Sequence, residues 1–184
     1  NQNGALRHFG GRGYLLDNGG SGYHIGRDAI CAAQDAADGV GARSILTDLV
    51  EEKLGNTVWD SIQDIYGKGQ AYLASFAPCV FRAYEHGDEI AKQILENNAR
   101  CLAELINFAV EHCNVGNYVV ASGGIIKQKA SFREMLKDML DTDVELDVPD
   151  YPPVYGACIM CCRLCGIDTK LIEDKFMYSY ELYQ

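Results

Sequence analysis

The first two thirds of the chain are patterned for helices. Apolar residues recur at the three- and four-residue spacing of an amphipathic helix in five segments, over residues 21–37, 42–54, 58–66, 71–84 and 88–112. We expect Pro78 to kink the fourth segment or to mark an early turn in it. The fifth segment is the longest, and its acidic first turn, Asp88 and Glu89, suits the positive end of a helix dipole.

The period changes after residue 117. Tyr118–Ala121 is a short apolar run that leads into Ser122-Gly123-Gly124, as a buried strand entering a tight turn does. Residues 144–148 alternate as a strand does, and residues 4–9 could form another strand. Residues 132–140 and 155–164 are patterned as short helices. This order predicts a single α/β domain with a helical insertion.

Composition places the chain among ordinary globular domains. It has 184 residues, 48% of them hydrophobic and 23% charged, which is enough for one domain with a sizeable core. No apolar run approaches the ~20 residues of a membrane-spanning helix, and the polar first residues do not resemble a signal peptide. We therefore expect a cytoplasmic protein without a membrane partner.

Charge and cysteine content narrow the class of partner. The formal net charge is −10, and such a surface repels phosphate backbones, which argues against nucleic acid as a partner. It does not exclude a nucleotide held locally by backbone N–H groups. The eight cysteines, in a chain without a secretory signal, are expected to be reduced thiols.

Two glycine-rich segments are candidate binding elements. Seven glycines lie between Gly10 and Gly26, and such a density marks turns or close backbone approach. The segment Gly10–Ser21 is therefore either a substrate loop or a loop that only packs on the helix after it. The Gly123-Gly124 turn, at a strand's end, could let backbone approach adenosine or phosphates, with Lys127 within reach of a phosphate. The alternative for this second segment is a plain turn.

Three separated blocks carry a family resemblance. They run from Gly10 to Arg27 (GGRGYLLDNGGSGYHIGR), from Val119 to Ile126 (VVASGGII) and from Pro152 to Ala157 (PPVYGA). In order and spacing they resemble blocks of the N-acetylglucosamine kinases and the BadF/BadG/BcrA/BcrD-type ATPases. Residues 76–87 are similar to the connecting region of that family, so the resemblance covers nearly the whole chain.

The resemblance implies an actin-like ATPase (ribonuclease H-like) fold, in which ATP and Mg²⁺ lie in a cleft between two lobes. Residues 1–184 would be a single C-terminal lobe with a large helical insertion. The family's first phosphate loop, catalytic aspartate and GTGS hairpin would precede Asn1, in an N-terminal lobe absent from this chain. No catalytic residue is therefore assigned here.

The same resemblance assigns binding residues. Gly11, Arg12 and Asn18 would contact the sugar, and Ala74 and Ser75 would line the adenine pocket opposite Gly123, Gly124 and Lys127. Two departures from the family's pattern lie at the sugar side. Asp17-Asn18-Gly19-Gly20-Ser21 stands where the family has Gly-Asp-Glu-Gly-Ser, so Asn18 replaces an aspartate that contacts sugar hydroxyls. Arg12 stands where the glucosamine kinases often have a tryptophan.

Two other features suggest a functional site, but for each of them a structural role is the simpler interpretation. Cys158, Cys161, Cys162 and Cys165 suggest zinc or an iron–sulfur cluster, but their spacing places all four along one helical face. Four ligands around one ion would require the helix to unwind, so we expect small buried side chains and no metal. His24 could point into the cleft, but a satisfied structural histidine is the simpler expectation.

The sequence therefore predicts the nucleotide- and substrate-binding lobe of a sugar kinase of the N-acetylglucosamine kinase type. The complete enzyme would move the γ-phosphoryl group of ATP to a sugar hydroxyl. One alternative is a lobe of a BadF-type ATPase that activates a partner protein. A second is a non-catalytic dimerisation or sensor module. The apolar last helix and the aromatic tail after Gly166 favour self-association as a homodimer.

Overall fold

The computed structural model describes residues 8–181, which are mostly helical. Two short strands, β1 and β2, and a 3-10 turn at Trp59–Ser61 accompany the helices. The helices are α1 Gly22–Ala37, α2 Ile45–Leu54, α3 Ile62–Gly67, α4 Gly69–Ala74, α5 Ala77–Glu85, α6 Glu89–His112, α7 Gly124–Gln128, α8 Ala130–Asp138, α9 Pro153–Leu164 and α10 Lys170–Glu181; the strands are β1 Tyr118–Val120 and β2 Glu145–Asp147.

Asp88 is the most heavily used capping residue of the fold. One carboxylate oxygen accepts the N–H groups of Ile90 and Ala91 at 2.9 and 3.0 Å, which satisfies two free donors at the start of α6. The other oxygen accepts the N–H of Leu46 in the first turn of α2 at 2.8 Å. A single side chain therefore ties the starts of two helices together.

The core lies around α1, which packs against α2, α4, α5 and α6. Its buried face carries Ile25 and Ala29, which share one apolar cluster with residues of the neighbouring helices. Phe76, Leu95 and Phe132 in that cluster are fully buried. Burial of such side chains contributes roughly 1.5–3 kcal/mol each, so this helical cluster is the main source of stability.

Gly26 allows α1 and α4 to approach closely. A Cβ built on Gly26 would lie 1.9 Å from the carbonyl oxygen of Leu73, far inside van der Waals contact. Only glycine fits there, because the obstacle is backbone and not the end of a flexible side chain. The contact fixes the position of α4 relative to the start of α1.

The sheet consists of β1 and β2, which are parallel with Tyr118 opposite Glu145 and Val120 opposite Asp147. Leu146 faces the helical core, while the opposite face carries Tyr118 and Val120, each 56% exposed. The Tyr118 hydroxyl donates to Asp147 across that face at 2.6 Å. Parallel strands are normally buried on both faces, so this exposed face is unusual.

Most predicted elements are confirmed, and one is wrong. The segments predicted at 21–37, 42–54, 88–112 and 155–164 are α1, α2, α6 and α9. Residues 71–84 are not one kinked helix: α4 ends at Ala74 and α5 begins at Ala77. Pro78 lies in the first turn of α5, where its missing N–H costs nothing, and it has no N–H to donate to the carbonyl of Ala74, which would continue α4. The possible strand at 4–9 lies largely outside the described residues; His8 and Phe9 belong to no strand.

Candidate functional site

The glycine-rich segment, residues 10–21 (the glycine loop), and α6 enclose a cavity of about 690 Å³. The predicted substrate residues Gly11, Arg12 and Asn18 all line it. Its size is in the range of small-molecule sites. The fold therefore brings together the three residues that the sequence assigned to substrate, although their binding role stays a prediction.

Asp17 holds the glycine loop from within. Its two carboxylate oxygens accept the backbone N–H groups of Arg12 and Gly13, each at 3.1 Å. Both Asp17 oxygens are therefore occupied by the loop's own backbone. The next residue, Asn18, has an exposed side chain that is available to a ligand in the cavity. The loop thus offers the cavity an amide, with one acceptor and two donors, in place of a carboxylate.

His24 lines the cavity, and its ring nitrogens are satisfied as predicted for a structural histidine. Only 2% of it is exposed, and both ring nitrogens have partners. Nδ1 lies 2.7 Å from the Ser21 hydroxyl, and Nε2 lies 3.0 Å from the Asp17 carbonyl oxygen. The Ser21 Oγ also accepts the His24 N–H at 3.3 Å as the cap of α1. His24 therefore joins the end of the glycine loop to the start of α1.

The loop is shaped to the surface of α6. A Cβ at Gly19 would lie 2.8 Å from the Cys101 sulfur, and one at Gly20 would lie 2.5 Å from Cγ of Leu102. Gly20 also has φ +86°, a conformation that side chains disfavour. Gly20 is favoured by its backbone conformation, and both glycines let the loop lie directly on side chains of α6, so part of the loop's glycine content serves the fold.

Two charged side chains at the cavity lack a partner among residues 8–181. Arg12 and Glu104 both line the cavity, and neither side chain has a hydrogen bond or ion pair within that range. Burial, followed by the Glu104 carboxylate, raises the pKa of the neighbouring Cys101 thiol. Cys101 is therefore a neutral wall residue and not an activated nucleophile.

The predicted nucleotide residues lie on two segments that meet beside Gly22. A Cβ at Gly22 would lie 3.5 Å from Cδ1 of Ile125 and 3.9 Å from Cβ of Ala74. Ala74 at the end of α4 and the residue after Gly124 are thus brought near each other, as an adenine site would need. None of the five predicted nucleotide residues lines the cavity of the glycine loop.

The polar groups of these nucleotide candidates have local partners. Lys127 Nζ donates to the carbonyl oxygens of Asp150 and Tyr151 at 3.0 and 2.8 Å, and the Ser75 hydroxyl donates to the Tyr72 carbonyl at 2.7 Å. A Cβ at Gly124 would meet nothing within 4 Å. The turn therefore faces open space, while Lys127 has one of its three donors left for a phosphate.

A second cavity, of about 770 Å³, adjoins the first at Tyr14 and Gln70. It lies between α1 and the segment that holds Trp59 and α3, with Tyr23 and Tyr66 in its walls. Trp59 and Tyr66 are 72% and 85% exposed. No residue that the sequence assigned to a ligand lines this second cavity.

Cys158, Cys161 and Cys162 lie on α9, as predicted, and Cys165 follows its last residue. Cys162 is buried and Cys158 is partly buried, but Cys161 and Cys165 are exposed, so the expectation of buried side chains is wrong for these two. Within residues 8–181, no group of three or more histidine, cysteine or acidic side chains is arranged to hold a metal ion. All eight cysteines of the chain are free thiols. In the same range, no helix is both long and apolar enough to cross a bilayer.

The α6 residues of the first cavity were not assigned from sequence. Asn98, Cys101 and Glu104 contact the loop or line the cavity from the middle of α6, where only the apolar positions were interpreted. One signal was available for Asn98: it continues the four-residue row of Ile94 and Leu102, so a polar residue stands at a core position. Nothing in the local pattern marks Glu104.

Comparison with known proteins identifies the family. The sequence profile of the BadF/BadG/BcrA/BcrD ATPase family matches residues 1–160, and the chain belongs to this family. An N-acetyl-D-glucosamine kinase of Dictyostelium discoideum is 33% identical over 180 residues, which cover 92% of this chain and 55% of that protein. An N-acetylmuramic acid/N-acetylglucosamine kinase of Clostridium acetobutylicum is 34% identical over 132 residues, 68% of this chain and 43% of that one.

A solved structure supports the fold. A candidate N-acetylglucosamine kinase from Chromobacterium violaceum superposes with a TM-score of 0.67 at 25% identity, over 85% of this chain and 52% of that protein. Together with the family match, this likeness implies the actin-like ATPase fold predicted from sequence. The chain spans about half the length of the relatives it matches.

Proposed function

We propose that this chain is the C-terminal lobe of an ATP-dependent amino-sugar kinase, and that it binds the nucleotide and one side of the sugar. The observation that carries the proposal is the cavity of the glycine loop, since Gly11, Arg12 and Asn18 converge on it. The relatives described above are sugar kinases by name, which supports an amino sugar as the ligand.

In the proposed lobe, Asn18 and Arg12 hold and orient sugar oxygens. The amide of Asn18 can accept from one hydroxyl and donate to another, and the Arg12 guanidinium donates to acceptors such as an acetyl carbonyl. Gly11 has φ +59° and would present its backbone to the sugar, with His8 Nε2 3.1 Å from the position a Cβ would take. These contacts would position the acceptor hydroxyl, which is the main task of a protein in phosphoryl transfer.

The nucleotide would lie at the Gly123-Gly124 turn, with Ala74 and Ser75 beside the adenine and Lys127 near a phosphate. The open space at Gly124 supports this placement. Mg²⁺ in such sites usually takes one or two carboxylates, with phosphate oxygens and waters as the other ligands. We propose that Mg²⁺ is carried by the ATP phosphates and that an N-terminal lobe supplies its protein ligands and the catalytic base.

Location, self-association and the helical insertion remain parts of the proposal. We propose a cytoplasmic protein that forms a homodimer through α9 and α10, without nucleic acid or membrane as partner. The exposed apolar side chains of α9, such as Met160 at 57% and Leu164 at 85%, support such an interface. The helices between Gly22 and His112 would be the helical insertion of the lobe.

The test is ATP turnover by the chain joined to its N-terminal lobe, with and without N-acetylglucosamine and N-acetylmuramic acid. The kinase proposal expects turnover that depends on one of the sugars, with one sugar phosphate formed per ADP. Turnover independent of either sugar would contradict it and favour the second candidate, a BadF-type ATPase that activates a partner protein. The description of the matching family supports that candidate. Dimer formation without any turnover or ligand binding would favour a non-catalytic dimerisation or sensor module.

A further inference from the structure

Asn98 is a polar residue buried in an apolar row of α6. It lies four residues after Ile94 and four before Leu102, and only 2% of it is exposed. An amide in such a place is unfavourable unless its hydrogen-bonding groups find partners. The partners that Asn98 has therefore show what the residue does.

The three side-chain hydrogen bonds of Asn98 fix the orientation of its amide group. Oδ1 accepts the Gly20 N–H at 2.9 Å, while Nδ2 donates to Asp28 Oδ2 at 3.0 Å and to the Ile94 carbonyl at 2.9 Å. Because Gly20 offers a donor and the other two offer acceptors, only one orientation of the amide satisfies all of them. The contact to Gly20 is thus specified by the network.

These bonds join three elements at the edge of the cavity. Gly20 belongs to the glycine loop, Asn98 to α6 and Asp28 to α1. The second carboxylate oxygen of Asp28 accepts from Nε and Nη2 of Arg27 at 2.9 and 2.7 Å, which holds the carboxylate in place. Asn98 therefore transmits the position of two helices to the loop.

Asn98 also helps to exclude a side chain from the neighbouring loop position. A Cβ at Gly19 would lie 3.3 Å from Asn98 Oδ1 and 2.8 Å from the Cys101 sulfur. Side chains of α6 therefore fill the space next to Gly19.

We propose that Asn98 is a positioning residue of the glycine loop. It fixes Gly19 and Gly20 against α6 and thereby sets where Asn18 stands in the cavity. The effect on the loop needs no ligand. The effect on sugar binding rests on the proposed function, and the two are measured separately.

Amide hydrogen exchange of Gly20, followed by NMR in the ligand-free 184-residue chain, tests the effect on the loop. Asn98→Ser is the informative variant, because its hydroxyl can bond the Ile94 carbonyl but is too short to reach Gly20. Loss of one such hydrogen bond should accelerate Gly20 exchange by about tenfold. The matched control is Asn97→Ser, an exposed neighbour on the same helix, which should leave the rate unchanged. Equal Gly20 exchange in the wild type and Asn98→Ser, with both folded, would overturn the proposal.

A second measurement does not depend on a variant that folds. A through-bond scalar coupling between the Gly20 amide nitrogen and the Asn98 side-chain carbonyl carbon should be present in the wild type. Its absence, in a sample that shows such couplings within α6, would overturn the proposal.

The affinity for the sugar distinguishes a positioning role of Asn98 from a purely structural one, which would leave that affinity unchanged. N-acetylglucosamine should bind Asn98→Ser about fivefold to tenfold more weakly than Asn97→Ser at equal thermal stability. Unchanged affinity with accelerated Gly20 exchange would overturn the link to substrate. If the wild type itself does not bind the sugar while Gly20 exchange responds as expected, the proposed function fails and the positioning of the loop stands.

Discussion

Replacement of Gly26 by alanine is the sharpest test of how the helices meet. The new Cβ would lie 1.9 Å from the Leu73 carbonyl oxygen, 2.9 Å from its carbonyl carbon and 3.3 Å from the Ala77 nitrogen. All three atoms are backbone at the junction of α4 and α5, so no side chain can rotate out of the way. The helices must separate.

The size of the effect follows from that overlap. Ordinary contact begins at 3.4 Å, so the oxygen and the Cβ must move apart by 3.4 − 1.9 = 1.5 Å. Overpacking of a core costs about 1–3 kcal/mol and sometimes more, and a rigid backbone obstacle places this case at the upper end. Alanine returns up to about 1 kcal/mol through its higher helix propensity. We expect a net loss of about 2 kcal/mol or more in the free energy of unfolding.

Urea unfolding followed by circular dichroism measures this loss. Gly22→Ala is the matched control, because Gly22 lies one turn before Gly26 on α1 and its Cβ would lie 3.5 Å from Ile125 and 3.9 Å from Ala74. Without a clash, we expect no loss of stability and a gain of at most about 1 kcal/mol. Gly26→Ala should also displace Ala74 and Ser75 and weaken ATP binding. Equal stability of the Gly26→Ala protein and the wild type would refute the close contact between α1 and α4.

Three further substitutions and modifications probe the caps, the loop and the cysteines. Asp88→Ala should cost about 2–3 kcal/mol of unfolding free energy, because three backbone N–H groups lose a charged acceptor. Burial alone would raise the Asp88 pKa, but those N–H groups lower it overall. The stabilisation by Asp88 is therefore present above its unfolded pKa, near 4, and is lost as pH falls through the lower folded pKa. Urea unfolding should accordingly show a smaller difference in unfolding free energy between wild type and Asp88→Ala at pH 3 than at pH 7. Asp17→Ala should change the free energy of unfolding by less than about 1 kcal/mol, since the side chain is at the surface. It should nevertheless weaken N-acetylglucosamine binding in calorimetry, because the loop loses the acceptor for its Arg12 and Gly13 N–H groups. Unchanged affinity would count against that role of Asp17. Because its pKa is raised, Cys101 should be alkylated by iodoacetamide more slowly than exposed Cys161 when sites are compared by mass spectrometry at neutral pH; faster labelling of Cys101 would contradict the environment described for it.

Local chemistry explains which elements could be predicted. The start of α6 follows from Asp88 and the run of apolar positions after it, and β1 follows from an apolar run that ends at a glycine turn. The break between α4 and α5 was missed because Pro78 is compatible with both a kink and a new first turn. α7 and α10 were missed because a five-residue helix and an aromatic tail carry little periodic signal.

Part of the candidate site could also be predicted from the sequence, and part could not. The glycine density marks the segment Gly10–Ser21 as a candidate binding element, and the family resemblance assigns Gly11, Arg12 and Asn18 within it. The opposite wall could not be assigned, since Asn98 meets Gly20 across 78 residues of sequence and local periodicity carries no information about such contacts. Lys127 shows a further limit, because its bonds to the carbonyls of Asp150 and Tyr151 depend on how β2 and the segment after it return to α7.

The central claim is that this lobe binds nucleotide at the Gly123-Gly124 turn, and a titration with ATP tests it most directly. A Cβ at Gly124 or at Gly116 would meet no atom within 4 Å, so Gly124→Val and the control Gly116→Val should both keep the fold. Calorimetric titration of the chain with ATP–Mg²⁺ should give saturable binding that Gly116→Val preserves and Gly124→Val weakens by about tenfold or more, roughly 1.4 kcal/mol. Absence of binding up to millimolar ATP, or equal affinity for both variants, would contradict a nucleotide half-site in this lobe.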